Sequence, residues 1–506
     1  MRKKATYLLV LFCLSTVLLK AQSGNPGLKV EITFQSDSIT KSELLDSLAR
    51  RYALHFSYNP ELLEATEKVK ASFIQQPLYR ILDQLIDREK VTYKAFDNQI
   101  VLFPLRHENT LPPDRKTIRG TIISSPDQQP IPYCNITIKG KALGTMSNQN
   151  GKFSIKLPEH LWTDTLAFSA LGYETAYLAP DTTRQQELTV VLNEKTYALK
   201  TVDVVNYKAD FLLGKFDDNY VKNYETDYTL FTTFYRELTI ENDAYTDISE
   251  AVLQVMKAPY HNELRNDHVK FIKGRKGAEV RPYSDIRFKL LGGPYYITQL
   301  DVVKNNESFL NAELRHLYDF HFERMTFIGD RQTAVVSFKP VFNLRDILFE
   351  GELYIDMDTW AVAMIEFGYT RQGLKDARNT LIHKEPKNTR AIPTELTYTI
   401  QYKLIDEKWY LLSARSSFKI KINDRGKREK TRFHSISEML TTNIEKGDLQ
   451  KFSNREIFKS NEVFTDKIVS YDPSFWEDYN IIEPEEELVK ALRLFDDNNL
   501  IITYKK

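Results

Sequence analysis

The hydrophobic positions between residues 29 and 104 change period in the same order twice. VEITFQ at 30–35 alternates in polarity as a strand does, and an apolar stripe at helical spacing follows it. Thr40 and Glu43 form a capping box, which predicts that a helix begins there. HFSYN at 55–59 is predicted as the next strand. The helical stripe consists of Leu44, Leu45, Leu48 and Tyr52.

The second half of this region repeats the pattern. VKASFI at 69–74 is predicted as a strand, and Pro77 suits the first helical position because its missing N–H would have no partner there. VTYKAF and QIVLF then predict a hairpin around Asp97-Asn98. The second helical stripe consists of Leu78, Ile81, Leu82 and Leu85. Two such units predict a small α+β domain over 29–104.

Residues 29–104 resemble, through this repeated strand–helix–strand pattern, the short N-terminal domain of secretins and TonB-dependent outer-membrane receptors. The resemblance implies a periplasmic interaction or signalling module and no enzymatic activity. RHENTLPPDRK, which follows, is polar and contains two prolines, so a linker is predicted over 105–116.

Short alternating segments separated by turn residues occupy 117–196, among them TIRGTII, FSIKL and ELTVVL. Their spacing of about 8–12 residues predicts a β-sandwich of the seven-stranded type. Gly140, Gly144 and Gly151 are predicted at tight turns, where a positive φ is easy for glycine. Cys134 is interpreted as a small core residue.

The segments IRGTI, PIPYCNITIKG, GT at 144–145, NGKFSI at 150–155 and SALGYE at 169–174 resemble the carboxypeptidase-regulatory-like domain that is common in Bacteroidetes proteins. The resemblance implies that Gly144, Asn150 and Gly151 set turns and that Phe153 fills the sandwich core. It also implies that this domain accompanies peptidases without cleaving anything itself.

The region 205–506 shows successive hairpin patterns. A helix is predicted near 210–223, and hairpins are predicted over 325–338, 348–369 and 395–420, the first with Gly329-Asp330 at its turn. Consecutive hairpins predict a large antiparallel β-meander with a few helices. EPEEELVKALRLF at 483–495 is predicted as a helix, since acidic residues at its start complement the helix dipole. The whole chain is thus predicted to be a mixed, β-dominated multidomain protein.

Several motifs in this last region resemble an uncharacterised Bacteroidetes family that places it directly after the same sandwich domain. They are FYRE (234–237), SEAVLQVMKAPY (249–260), GRKG (274–277), LGGPYY (291–296) and EGELYID (350–356). That family has no established activity, so the resemblance transfers no catalytic residue. The hairpin-rich sheet is also similar to lipoprotein-carrier folds, which would imply a curved sheet with an apolar concave face.

The N-terminus indicates export. Arg2, Lys3 and Lys4 precede a short apolar run that ends at small residues, which predicts a signal peptide over 1–22. A retained N-terminal anchor is the alternative. No lipid anchor is expected, because Cys13 lies inside the apolar run. No later stretch is long and apolar enough to predict a membrane helix, so we expect no transmembrane span.

The net charge and the absence of known catalytic motifs narrow the classes of function that the sequence predicts. Lys plus Arg and Asp plus Glu number 69 each, so the net charge is zero and no nucleic-acid partner is predicted. H-x-x-E, H-E-x-x-H, G-x-S-x-G and P-loop motifs are absent from the sequence. HNELRNDH offers four metal-type residues, and a second pair lies at 321 and 323, but solvated positions explain both without a metal. The residues are His261, Glu263, Asp267, His268, His321 and Glu323.

The sequence therefore predicts a non-enzymatic protein without catalytic residues, metal or cofactor. The first hypothesis is a periplasmic adaptor associated with the outer membrane, which binds an envelope protein or a glycan through its modules. The second is a carrier that binds a lipid or another amphiphile in the C-terminal sheet. An enzyme is the third hypothesis. It ranks below the other two because clustered acids such as Asp356 and Asp358 fit a hairpin turn without any catalytic role.

Overall fold

The computed structural model divides into two compact units, Met1–Pro113 and Asp114–Lys506. The described residues are 26–52, 54–57, 67–88, 91–96, 99–104, 115–179, 187–195, 207–261, 266–276, 290, 292–342, 348–385, 387–426, 429–464, 479–485 and 488. The predicted signal peptide, the turn at 97–98, most of the predicted linker and most of the predicted helix at 483–495 lie outside them.

The first unit is an α+β fold, as predicted. Strand β1 pairs antiparallel with β3, while β5 pairs parallel with β2 and antiparallel with β4. The elements are β1 (Glu31–Thr40), α1 (Lys41–Tyr52), β2 (His55–Ser57), β3 (Lys68–Pro77), α2 (Leu78–Leu85), β4 (Val91–Phe96) and β5 (Gln99–Pro104). The leucine and isoleucine side chains of both predicted helical stripes are buried in one core.

The two predicted helix starts differ in outcome. The capping box is present, because the Glu43 N–H donates to the Thr40 hydroxyl at 3.2 Å and the Thr40 N–H donates to the Glu43 carboxylate at 3.1 Å. The hydrogen bonds that the Thr40 N–H and hydroxyl donate to the Glu43 carboxylate lower the pKa of Glu43. Pro77, however, is the N-cap and not the first helical residue, because its extended ψ of 141° completes β3 before α2 begins.

The second unit begins with a seven-stranded sandwich. One sheet has the order β11-β10-β7-β8 and the other has the order β12-β6-β9, with β12 parallel to β6. The strands are β6 (Arg115–Ser124), β7 (Asn135–Ile138), β8 (Gly144–Met146), β9 (Lys152–Pro158), β10 (Leu166–Ser169), β11 (Ala176–Leu178) and β12 (Leu188–Leu192). Phe153 meets Phe168 edge-to-face at 5.5 Å in the core, and Cys134 is fully buried there.

One glycine prediction in the sandwich was wrong. Gly140 and Gly151 have φ of 74° and 70°, as turn glycines do. Gly144 instead lies inside strand β8, where neighbouring atoms of β7 leave no room for a side chain. A Cβ at this position would lie 2.5 Å from the Thr137 Cγ2 atom and 2.7 Å from the Ile136 carbonyl oxygen.

A ten-stranded antiparallel sheet forms the rest of the second unit, in the order β15-β14-β13-β22-β21-β20-β19-β18-β17-β16. Its strands are β13 (Thr229–Glu241), β14 (Ala244–Lys257), β15 (His268–Lys276), β16 (Tyr318–Ile328), β17 (Arg331–Pro340), β18 (Phe349–Asp356), β19 (Val362–Tyr369), β20 (Thr389–Ile405), β21 (Lys408–Asp424) and β22 (Glu429–Glu445). All three predicted hairpins are present, and the first turns at Gly329-Asp330 as expected. The helices are α3 (Ala209–Asn223), α4 (Gly293–Thr298), α5 (Arg371–Asp376) and α6 (Arg378–Leu381).

The two faces of this sheet are covered differently. Successive residues of a strand point to opposite faces. Phe231 and Tyr235 of β13 belong to a large aromatic core that includes α3 residues, whereas Phe234 packs with Met146 of the sandwich. Backbone hydrogen bonds reinforce this docking, since the Gly172 N–H donates to the Phe327 carbonyl at 2.8 Å. The sandwich and the large sheet are therefore joined directly.

We expect Gly144→Ala to destabilise the chain by about 1–3 kcal/mol, because the added methyl group overpacks β8 against β7. Gly214→Ala is the matched control, since a Cβ there has no neighbour within 4 Å and alanine favours a helix interior. Chemical denaturation of the full chain compares the two variants. A Gly144→Ala variant as stable as Gly214→Ala would contradict the packing argument.

Candidate functional site

The metal-type residues singled out in the sequence do not converge. His261 and His268 are exposed, Asp267 is buried, and Glu263 lies outside the described residues. The His321 Nε2 atom lies 3.0 Å from an Asp319 carboxylate oxygen, while Glu323 accepts a hydrogen bond from Ser337. Within the described residues, no group of three or more His, Cys, Asp or Glu side chains is placed to hold a metal ion.

Asp267 instead belongs to a buried ionic cluster. The Lys257 ammonium donates to the carboxylates of Asp267 and Asp301, at 2.6 Å each. Lys304 donates to the other oxygen of Asp267 at 2.7 Å, and the Ala258 N–H donates to it at 2.9 Å. All four charged side chains are at most 2% exposed. The cluster pairs two carboxylates with two ammonium groups, so its formal charges cancel.

Two tyrosines complete the shell of Asp301. The Tyr260 hydroxyl donates to one of its oxygens at 2.7 Å, and the Tyr402 hydroxyl donates to the other at 2.9 Å. Burial raises the pKa of Asp301, but the charge and hydrogen bond of Lys257 outweigh burial and hold that pKa below its usual value. Burial lowers the pKa of Lys257, and the two aspartates reverse this and raise it. The cluster therefore acts as an internal clamp between β14 and the segment around 301–304.

We expect Lys257→Met to destabilise the chain by about 3–5 kcal/mol, because the substitution leaves buried carboxylates without their cation. Lys419→Met is the matched control. Its partner Glu395 lies 2.9 Å away, both side chains are 45% exposed, and such pairs contribute about 0–1 kcal/mol. Denaturation midpoints measure both effects. Equal, small losses in the two variants would show that the cluster is not a clamp.

A second buried set of charges crosses four strands in register. Glu250, Arg236, Glu438 and Arg415 lie directly opposite one another on β14, β13, β22 and β21. The Arg236 guanidinium donates to Glu250 at 2.8 Å and lies 3.7 Å from Glu438, while Arg415 donates to Glu438 at 3.0 Å. Opposite charges alternate along the row, which is the favourable arrangement for directly opposed cross-strand residues.

This charge row also holds residues 479–485 between the sheet and the sandwich. Arg236 donates to the Ile482 carbonyl at 2.7 Å, and the sandwich residue Thr145 donates to the Ile481 carbonyl at 2.7 Å. The Asn480 side chain accepts from the Lys156 N–H at 2.6 Å and donates to the Lys156 carbonyl at 3.4 Å. Its amide thus occupies the free edge of β9. We call residues 479–485 the clasp.

Glu237 is a buried carboxyl group outside both ionic sets. The Tyr235 hydroxyl donates to it at 2.6 Å. A Cβ on Gly293 would lie 1.8 Å from its Oε1 atom, so the LGGPYY segment fits closely over this carboxyl. Burial raises the pKa of Glu237 to about 8. The folded state therefore retains a proton that the unfolded chain releases near its ordinary pKa of 4.5.

This proton makes stability depend on pH. Between pH 4.5 and about 8 the folded state binds the extra proton, so stability falls as the pH rises, by up to about 1.4 kcal/mol per pH unit. Glu237→Gln keeps the acceptor for Tyr235 but cannot ionise. We therefore expect it to flatten the stability profile in this window, as measured by denaturation at several pH values. An unchanged slope in the variant would assign the pH dependence to other groups.

Asp356 has the turn role that its sequence position suggested. Its carboxylate accepts from the Thr359 N–H at 2.8 Å and from the Thr359 hydroxyl at 2.7 Å. Arg331 donates to both of its oxygens, at 2.5 and 2.6 Å. Asp358 is mostly exposed and lies 3.2 Å from Arg331. The hairpin turn and the bidentate bond from Arg331 explain why acidic residues occur at these two positions.

A groove of about 560 Å³ opens at the end of the large sheet beside the β13–β14 turn. The turn residues Asn242 and Asp243 have positive φ of 45° and 73°, as tight hairpin turns require. The Arg432 N–H donates to the Asn242 side chain at 3.0 Å, which fixes β22 against the turn. The groove is lined by Ile240, Asn242, Asp243, Tyr245, Thr394, Lys419, Ile420, Lys421, Lys430, Arg432, Phe433 and His434.

The charged side chains of the groove are mostly basic. Arg432 lies 3.0 Å from Asp243, and both side chains are largely exposed. No ion pair of Lys421 or Lys430 is present among the described residues. Burial, Lys419 and Arg415 lower the pKa of His434, whose Nε2 atom lies 2.8 Å from the Ser417 hydroxyl. The groove therefore offers lysine and arginine charges, while His434 favours its neutral form.

Sequence reasoning did not identify this groove, although a signal was present. Residues 419–432 contain seven basic and two acidic residues in a chain whose net charge is zero. This run belongs to the hairpin of β21 and β22, whose strands pair from Ser413–Leu440 to Asp424–Glu429. A local charge count over the predicted hairpins would have marked it. Its pairing with the turn of β13 and β14 is a long-range contact that no local pattern encodes.

Comparisons with known proteins identify the sandwich. Residues 118–205 match the family model of the CarboxypepD_reg-like domain, so the chain carries a domain of this class. The TonB-dependent receptor P3 of Formosa agariphila is 33% identical over 92 residues, which cover 18% of this chain and 9% of the receptor. The chain thus spans a small part of this curated relative.

Two solved structures are similar to about half of the chain. A LolA superfamily protein from Nitrosomonas europaea matches 48% of this chain and 96% of its own, with 14% identity and a TM-score of 0.24. An outer membrane lipoprotein-sorting protein domain from Vibrio parahaemolyticus matches 48% of this chain and 96% of its own, with 10% identity and a TM-score of 0.23. TM-scores this low do not establish a shared fold. Within the residues that the structure describes, no helix is long and apolar enough to cross a membrane.

Proposed function

We propose that this chain is an exported, non-enzymatic protein of the cell envelope that acts as an adaptor, holding a protein or glycan partner in a fixed relation to its own modules. The observation that carries the proposal is the direct joining of the CarboxypepD_reg-like domain to the large sheet through the clasp. An adaptor needs such a joint, because a partner bound on one part is then oriented by the other.

The similarity of 92 residues to a TonB-dependent receptor supports an envelope location. The buried charges support a scaffold. The charged side chains of the Lys257 cluster pair with one another, and Arg236 pairs with Glu250 and donates to the clasp, so both sets of charges hold the fold. The charged groups exposed to a partner lie elsewhere, above all in the groove.

The carrier hypothesis receives less support from the aromatic face. Phe309 stacks on Phe338 at 4.4 Å, and Tyr224 stacks on Tyr260 at 5.1 Å. Phe309 and Tyr224 are each at most 1% exposed and belong to the same core as α3. In this part of the described chain the aromatic side chains fill the interior with one another, so packing explains them without a bound acyl chain.

The adaptor proposal predicts a specific partner. We expect the full chain, cross-linked in its own cells and isolated by affinity from the envelope fraction, to bring down a discrete protein or glycan in near-stoichiometric amount. Native mass spectrometry of the gently extracted protein identifies the added mass. Recovery from the cytoplasmic fraction, a bare protein mass, or a released lipid as the added mass would each overturn the proposal.

Asn480→Ala tests whether the fixed joint matters. It removes the two hydrogen bonds between the clasp and Lys156, so partner recovery is expected to fall several-fold. Asn443→Ala is the matched control, because Asn443 makes a 3.4 Å hydrogen bond to Glu445 at the sheet surface. Equal recovery with both variants would show that the partner does not need the joint.

A further inference from the structure

We propose that the groove binds an acidic saccharide, a sugar that carries carboxylate or phosphate groups. This inference rests on the proposed function, since it names the class of partner that one surface would bind. Nothing in the CarboxypepD_reg-like match points to it, because the groove is built entirely from strands of the large sheet.

Charge complementarity is the first argument. The whole chain is neutral, yet four lysine or arginine side chains and one acidic side chain line the groove. Lys421 and Lys430 have no carboxylate partner among the described residues. The pair of Arg432 and Asp243 is 68% and 86% exposed, so a ligand anion could replace Asp243 at little cost. Lysine and arginine bind carboxylate and phosphate through charge-assisted hydrogen bonds.

The shape of the groove is the second argument. Its volume of about 560 Å³ suits a few sugar rings, since small-ligand sites typically measure about 300–1,000 Å³. Tyr245 and Ile240 line it and pack on the apolar cluster of Leu238, Ile248 and Ile436. A half-buried tyrosine ring offers a firm apolar surface with a polar tip, which suits the apolar face of a sugar ring.

Preformed walls are the third argument. The β21–β22 ladder runs unbroken beside the groove, and Asn242 is bonded to Arg432 through both its backbone N–H and its side chain, at 3.0 Å each. A ligand would therefore meet a surface that needs little ordering, which favours affinity.

A membrane surface is the competing partner for a basic patch, and the structure favours it less. Interfacial binding combines basic residues with protruding apolar side chains. The most exposed large apolar side chains of the second unit include Phe342 at 65% and Val221 at 63%, and both lie outside the groove. The groove is a recess whose apolar residues are at least half-buried. It therefore suits a molecule that enters it better than a flat bilayer.

The test is calorimetric titration of the purified full chain at low and at physiological salt. Trigalacturonate probes carboxylates, glucose 6-phosphate probes phosphates, and maltotriose is the neutral control. We expect at least one acidic probe to bind, more weakly as salt rises, and maltotriose not to bind. Lys421→Gln with Lys430→Gln should weaken binding about tenfold. Lys222→Gln with Lys451→Gln, at two exposed lysines outside the groove, should leave it within about twofold.

Several results would overturn the inference, and three of them come from the titrations with sugars and lipid vesicles. They are no binding of either acidic probe, equal weakening by both variant pairs, or binding to anionic lipid vesicles that needs Lys421 and Lys430 while the sugars do not bind. Inorganic phosphate as competitor separates a sugar phosphate site from a simple anion site, and full displacement by phosphate at equal concentration would also count against it. The cellular isolation is scored separately. A partner retained by the Lys421/Lys430 variant rejects this inference and leaves the adaptor proposal standing.

Discussion

The Arg236 guanidinium connects three parts of the second unit. It lies at 1% exposure between Glu250 and Glu438, and one of its terminal nitrogens, which also pairs with Glu250, donates to the Ile482 carbonyl of the clasp. A buried arginine is costly unless carboxylates surround it, and here its own neighbours across the strands provide them. Without this arrangement the clasp would lose a buried hydrogen bond to the sheet, and only its apolar packing and weaker contacts would hold it there.

Strand alternation explains how one strand serves both sides of the sheet. FYRE on β13 places Phe234 and Arg236 towards the sandwich, and Tyr235 and Glu237 towards the opposite face, where LGGPYY covers them. A single slip of register would exchange these roles and bury the wrong charge on each face. The FYRE segment is therefore explained by packing on two sides and needs no reaction to account for it.

Local chemistry made much of the fold predictable. The capping box at Thr40, the turn at Gly329-Asp330 and the hairpin acids at Asp356 act within a few residues, so their patterns are visible in the sequence. Two of the wrong assignments depend on contacts between elements. Gly144 is required by the close approach of Thr137, and the buried state of Asp267 depends on Lys304. The first contact depends on how β7 and β8 pair, and the second joins residues 37 apart in the sequence, so neither is visible in the local period of the sequence.

The charges of the groove differ from the buried charges of the protein in how far they are paired. The Lys257 cluster cancels its own charge inside the core, and the Arg236 row alternates in sign. Neither set contributes a strong field at the surface. The hairpin of β21 and β22 instead carries seven basic and two acidic residues over 419–432, although the chain as a whole is neutral, so this end of the sheet favours anions. The groove therefore presents lysine and arginine charges that an anionic partner can balance.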